Sequence, residues 1–158
     1  MNLFPVKKAA YIRKTDDDGM PIRAEEWAWN IHGVQKDFLY RDGKMYKVFY
    51  DDAIEIWIWK LFQTERYQWS IHSLLYGEEY HTLIGMGYTP GYINSLAEEM
   101  TRDTLRRNLG LYVLDIQPID DVTPLVTFYK GALYISFYAD TIYNSRGVLF
   151  NGVYNSYL

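Results

Sequence analysis

Several groups of residues have types and spacings that could do chemistry. The acidic runs Asp16–Asp18, Asp51-Asp52, Glu78-Glu79 and Asp120-Asp121 contain the carboxyl pairs a glycosidase needs, which it holds roughly 5–10 Å apart across a cleft. Their surroundings give plainer roles: a turn, a helix cap, a solvated loop and a second turn. His32, His72 and His81 could ligate a metal, yet none lies three or four residues from another, the spacing that puts two imidazoles on one helix face. No cysteine is present to supply a thiolate ligand, a nucleophile or a disulfide. Glu78 and His81 are three apart but lie near glycines. The loop Gly85-Met-Gly-Tyr-Thr-Pro-Gly91 lacks the Lys-Ser/Thr of a phosphate loop and reads as a tight entry to a helix. Glu65-Arg66 sits at a break between two apolar segments. An ion pair or backbone contacts there would brace a turn. The functional reading is contact with a neighbouring subunit, since buried charged pairs mainly set register and partner choice.

The elements that must position these residues follow from periodicity. Glu26–Ile31 reads as a strand, and Asp37–Tyr40 with Met45–Tyr50 as a hairpin about Asp42-Gly43, a strong short turn signal. Asp51 or Asp52 can cap a helix to about Gln63. Ile54, Trp57, Ile58 and Leu61 follow helical spacing, with Ile56, Trp59 and Phe62 off that stripe, so the helix is buried on more than one side. The rival reading is a strand, because Ile54, Ile56 and Ile58 also alternate. Trp69, Ile71, Leu74 and Leu75 continue the pattern to Gly77 as a short helix or irregular turn. The clearest helix spans 90–109, with Thr89 as cap, Pro90 in the first turn and Gly110 as stop. Strands follow at Leu111–Ile116, Pro124–Tyr129 and Ala132–Tyr143. In the last, Leu133, Ile135, Phe137 and Ala139 share one face, and Tyr134, Ser136, Tyr138 and Asp140 the other. The apolar, aromatic segment after Gly147 sits at a terminus, where chains fray unless tied down. It therefore reads as an arm that pairs with something.

The chain of 158 residues fits one domain with arms: an extension over 1–25, a body over 26–146 and a C-terminal arm over 147–158. The fold class is α+β, with a mixed or antiparallel sheet, two principal helices and extended terminal arms. A net charge of −4 argues against a nucleic-acid footprint. No uncharged apolar run approaches the roughly 18 residues that span a membrane, and the N-terminus lacks a signal-peptide pattern. Cytoplasmic synthesis of a soluble product is the expectation. Aromatics reach 18%, and Tyr and Trp favour surfaces where subunits meet.

The order of these features resembles a known family. It runs from a Trp strand through the Asp42-Gly43 hairpin to Asp52-Ala53-Ile54, then Leu61-Phe-Gln-Thr-Glu-Arg-Tyr67, Tyr76-Gly77 and Leu83-Ile84-Gly85, and ends in an Arg-bearing helix and a β-hairpin. This is similar to the sheath-initiator or inner baseplate wedge family of contractile phage tails and tailocins, including the defective-prophage type often labelled lysozyme-like. The resemblance implies a non-enzymatic structural protein of the virion tail baseplate, assembled in the bacterial host cytoplasm, with no catalytic residue and no cofactor. Its implied partners are the tail sheath protein, baseplate wedge proteins and the tail tube or tube initiator, in a sixfold ring. Relatives carry a Glu-Pro-Arg-like motif after the long helix to hold wedge partners. Here that place reads Asn108-Leu109-Gly110-Leu111, so the motif is absent and the wedge contact is either lost or moved to Arg106 and Arg107; Glu65 and Arg66 are the pair expected to contact a neighbouring subunit. Sheath arms complete a neighbour's sheet by strand addition. An unblunted strand edge suits that role, and the candidates are the Ala132–Tyr143 strand and the tail, with Tyr134, Tyr138, Val148, Phe150, Val153 and Tyr154 as interface residues. On this reading, deleting 148–158 leaves a folded domain that cannot start a sheath. The alternatives are a tail-associated peptidoglycan hydrolase, losing activity on Glu65→Gln or Glu78→Gln, and a neck or connector protein.

Overall fold

The structure, a computed structural model, describes residues 19–66 and 76–155. Residues 1–18, with the Asp16–Asp18 turn, and the segment carrying Trp69, Ile71, His72, Leu74 and Leu75 lie outside the described residues. Two helices pack with an antiparallel sheet, as an α+β domain. Strand β1 (Glu25–Trp27) pairs antiparallel with β4 (Lys47–Phe49), and β2 (Tyr40–Arg41) pairs with β3 (Lys44–Met45). Between β2 and β3, Asp42 and Gly43 have φ of 51° and 73°, the two left-handed residues that match the twist of a tight hairpin. These strands are shorter than the alternation predicts, because the segment breaks at Tyr46 and Trp29 meets Phe38 only as an isolated bridge.

Helix α1 (Asp51–Gln63) settles the helix-or-strand question at Ile54–Ile58. Its buried residues Ala53, Ile54, Ile56, Ile58, Leu61 and Phe62 cover most of its circumference, as a helix enclosed on several sides requires. Neither Asp51 nor Asp52 caps it. Tyr50 is the N-cap, at φ 58° and without a side-chain cap bond. The Asp51 carboxylate instead accepts the Thr141 hydroxyl and the Asn144 amide, tying the helix start to the sheet.

Helix α2 (Pro90–Leu109) begins at Thr89, whose side chain makes no cap bond, and turns Ile93, Ala97, Thr104 and Leu105 inward. The main sheet contains β5 (Val113–Gln117), β6 (Val126–Tyr129), β7 (Ala132–Thr141) and β8 (Val148–Asn155). Strand β7 is central. All of β8 runs along one side of it, from Ala132↔Asn155 to Ala139↔Val148. On the other side β6 pairs with its first half and β5 with its second.

The segment read as a terminal arm is thus a strand of its own sheet over Val148–Asn155. The physical reason is its inner face. Val148 and Phe150 are 3% and 5% exposed, and the rings of Phe62, Phe137 and Phe150 meet at centroid distances of 5.0–6.1 Å. Gly152 leaves the gap between the Phe150 and Tyr154 rings that a Cβ would enter at 3.0–3.1 Å. Deleting 148–158 would therefore strip a strand with a buried face from the main sheet, which argues against a truncated domain that stays folded.

Candidate functional site

The alternation of an antiparallel ladder decides which backbone groups each strand turns outward. The Ser136 amide donates to Leu125 O at 3.0 Å, so the even-numbered residues of β7 bond toward β6. The odd-numbered ones bond toward β8, through Val148, Phe150, Gly152 and Tyr154. Leu149, Asn151 and Val153 therefore direct their N–H and C=O groups away from the sheet. No backbone or side-chain hydrogen bond among the described residues occupies those groups.

On the opposite margin side chains occupy some of the outward groups. On β6 the outward Phe128 amide donates to Asn94 Oδ1 of α2 at 2.8 Å. On β5 the outward Ile116 amide donates to Asp115 Oδ1 at 2.8 Å. The Ile116 carbonyl accepts from Arg102 Nη1 at 3.5 Å, and Arg102 is held by Asp115 at 2.9 Å and Glu98 at 3.2 Å. Natural sheets blunt their edges by such devices.

Beside the open margin runs a trough of about 520 Å³. Every residue from Val148 to Val153 lines it. A hollow over one face of a strand would touch alternate residues, so this one follows the edge. Its opposite wall is a single stripe of α1, Glu55, Trp59 and Gln63, spaced four residues apart. Ile31, His32 and Lys36 close its third side. His32 Nε2 lies 2.6 Å from Glu55 Oε1.

The far end of β8 borders a smaller hollow of about 220 Å³, lined by Glu65, Glu78, His81, Val153 and Tyr154 among others. Here Glu65 bridges in parallel to Glu78, with Arg66 N–H to Glu78 O and Glu78 N–H to Thr64 O both at 2.8 Å. Gly77, at φ +109°, makes this approach possible, because a Cβ there would lie 2.6 Å from Thr64 O. Arg66 pairs with Glu79 at 3.0 Å and Glu65 with His81 at 3.3 Å. The brace foreseen at Glu65-Arg66 thus reaches across to residues 78–81 and is not a pair between the two neighbours. Burial raises the Glu78 carboxyl to about 7, Glu65 and Glu79 push the same way, and the Tyr80 amide opposes them. The sequence places Glu78 in an acidic doublet and three residues from His81, but carries no signal of this burial. Two carboxyls share this hollow, as a hydrolase requires, but it is smaller than the roughly 300–1,000 Å³ of ligand pockets.

The remaining site residues separate by face. Tyr134 and Val153, 44% and 57% exposed, are direct cross-strand partners on the outer face. Tyr138 pairs with Leu149 beside them, under the Arg146 guanidinium at 5.4 Å. Val148 and Phe150 are core side chains. Tyr154 also faces inward, its hydroxyl donating to Phe62 O at 2.9 Å. Arg106 and Arg107 lie in the last turn of α2, away from the open margin. Arg106 pairs with Asp103 at 3.2 Å and borders a hollow of about 190 Å³ beside Leu114. Leu149, Asn151, Trp59 and Lys36 were missed. Consistent period-two parity after Gly147 separates Leu149, Asn151 and Val153 from Val148 and Phe150, whereas the trough needs the packing of α1.

A family model described as contractile injection system sheath initiator matches residues 27–144. The chain belongs to the sheath-initiator family. Members of this family are structural components of contractile injection systems, associated with their sheath and baseplate. The match ends before β8, so the strand with the open margin lies outside the matched segment. No curated protein matches the chain.

Proposed function

We propose that this sheath initiator nucleates the contractile sheath by accepting an extended strand of a first-ring sheath subunit along β8. The observation that carries the reading is the bare row of N–H and C=O groups at Leu149, Asn151 and Val153, on a sheet whose other margin is stoppered at Phe128 and Ile116. Strand addition takes its affinity from such main-chain groups and its specificity from alternating side chains. Of the two strands considered from sequence, β7 already has a partner on each side, which leaves β8. Tyr134, Val153 and Tyr138 would extend the contact across the outer face.

Arg106, Arg107, Glu65 and Arg66 are the proposed links to the baseplate wedges, with the tube or its initiator as neighbour in a sixfold ring at the tail baseplate. Arg106 is exposed beside the apolar Leu114, a pairing suited to a protein surface. Assembly in the host cytoplasm completes the reading. The chain would be a scaffold with no enzymatic step.

Val153→Pro tests the strand site. It removes an outward N–H while sparing the bonds to β7, and edge positions tolerate proline. Capture of the cognate sheath protein should fall ~100-fold or more with the thermal melt nearly unchanged. Tyr88→Ala, on the exposed loop before α2, should capture normally. Undiminished capture by a folded Val153→Pro variant would overturn the proposal.

A further inference from the structure

The trough beside β8 has dimensions that constrain its occupant, given the strand-addition reading on which this inference rests. A strand beside β8 would turn every second side chain toward α1. Two residues of strand advance about 6.6 Å. Four residues of helix advance about 6 Å. Successive trough-facing side chains of an added strand would therefore meet Glu55, Trp59 and Gln63 in turn.

These three positions differ in chemistry. The middle one offers Trp59, half-buried and 6.1 Å from the Trp29 ring, with Ile31 nearby as a second apolar wall. The last offers the neutral amide of Gln63. At the first, His32 and Glu55 satisfy each other. Lys36 lines the same wall, its ammonium bonded among the described residues to the carbonyl of Ile31, the residue before His32. Lys36 is the one lysine or arginine lining the trough, and it has no carboxylate within ion-pair distance among the described residues.

We infer that the trough selects an extended sheath segment carrying a large apolar side chain over Trp59 and, two residues away on the same face, a carboxylate that pairs with Lys36. Trp59 acts as the anchor, since buried aromatic contacts carry most of an interface's affinity. Lys36 sets direction. A strand laid in the opposite sense would bring its carboxylate to Gln63 and leave Lys36 unpaired.

The test measures binding of the full chain to the cognate sheath protein, with Trp59→Ala, Lys36→Glu and Val153→Pro compared in parallel and folding checked by thermal melt. Trp59→Ala should weaken binding about tenfold. Lys36→Glu should weaken it about fivefold at low salt, less at high salt, and an acid-to-lysine change in the docked sheath segment should restore it. If Val153→Pro blocks binding while Lys36→Glu and Trp59→Ala bind like the parent, strand addition stands and the selection by the trough is overturned. Loss with Lys36→Glu that no charge reversal in the sheath segment rescues also overturns it. If Val153→Pro binds normally, the underlying strand-site reading fails instead.

Discussion

The two margins of the main sheet end in opposite ways. On the β5–β6 side some outward backbone groups meet side chains: Asn94 on Phe128, Asp115 and Arg102 on Ile116. Helix α2 supplies both Asn94 and Arg102, so packing of the helix and closure of the edge are one event. On the β8 side, α1 lies along the strand without covering its edge, and the space between them is the trough. A buried amide without a partner costs about 1–3 kcal/mol. The Phe128 and Ile116 amides escape that cost by internal bonds, and the outward groups of β8 by exposure to water. Only the second leaves its groups available to another chain.

The comparison can be broken within β8 itself. Phe150→Ala should cost about 3–5 kcal/mol in urea unfolding, because it empties the contact with Phe62 and Phe137. Val153→Ala, three residues on, should cost below about 0.5 kcal/mol. Similar losses at both positions would mean that β8 is not a strand with one buried face.

The far end of the open margin gives a pH signature. The native Glu78 carboxyl, raised to about 7 from an ordinary 4.5, keeps a proton that the unfolded chain has already released. This group's contribution therefore lowers stability as pH rises from about 4.5 through 7, and its penalty is complete above that. Glu78→Gln should gain about 2–3 kcal/mol at pH 8 and almost nothing near pH 4. A gain independent of pH would place the effect elsewhere.

Smaller effects should come from opening the stoppered margin. Asn94→Ala orphans the Phe128 amide and should cost about 1–2 kcal/mol. Arg102→Ala should cost below about 1 kcal/mol, since its carboxylate partners are solvated. Together the two changes turn a second edge outward. The double variant should form larger species in sedimentation at concentrations where the parent does not. Unchanged sedimentation would show that the stoppers are incidental.

Much of this architecture is legible in the sequence, and the limits are physical. The face alternation of Leu133–Asp140 matches the burial of β7, and Asp42-Gly43 gave its hairpin, because both depend on local geometry. The family resemblance, carried by the order of Trp29, Asp42-Gly43, Glu65-Arg66 and Gly77, agrees with the family match. Periodicity could not say that the aromatic C-terminal segment folds back on its own chain, since an apolar strand looks the same whether its partner is β7 or another subunit. Nor could it show which margin is open. That depends on Asn94 and Arg102 reaching across from α2, residues whose types carry no local signal. The cap expected at Asp51 failed for the same reason, a distant partner at Thr141 and Asn144.

The most direct test of the central claim is amide hydrogen exchange of the full chain, alone and bound to the cognate sheath protein. The amides of Leu149, Asn151 and Val153 should exchange freely in the chain alone and slow ~100-fold or more on binding, while those of Phe128 and Ile116 keep their rates. Bound sheath with unchanged exchange at Leu149, Asn151 and Val153 would contradict the account.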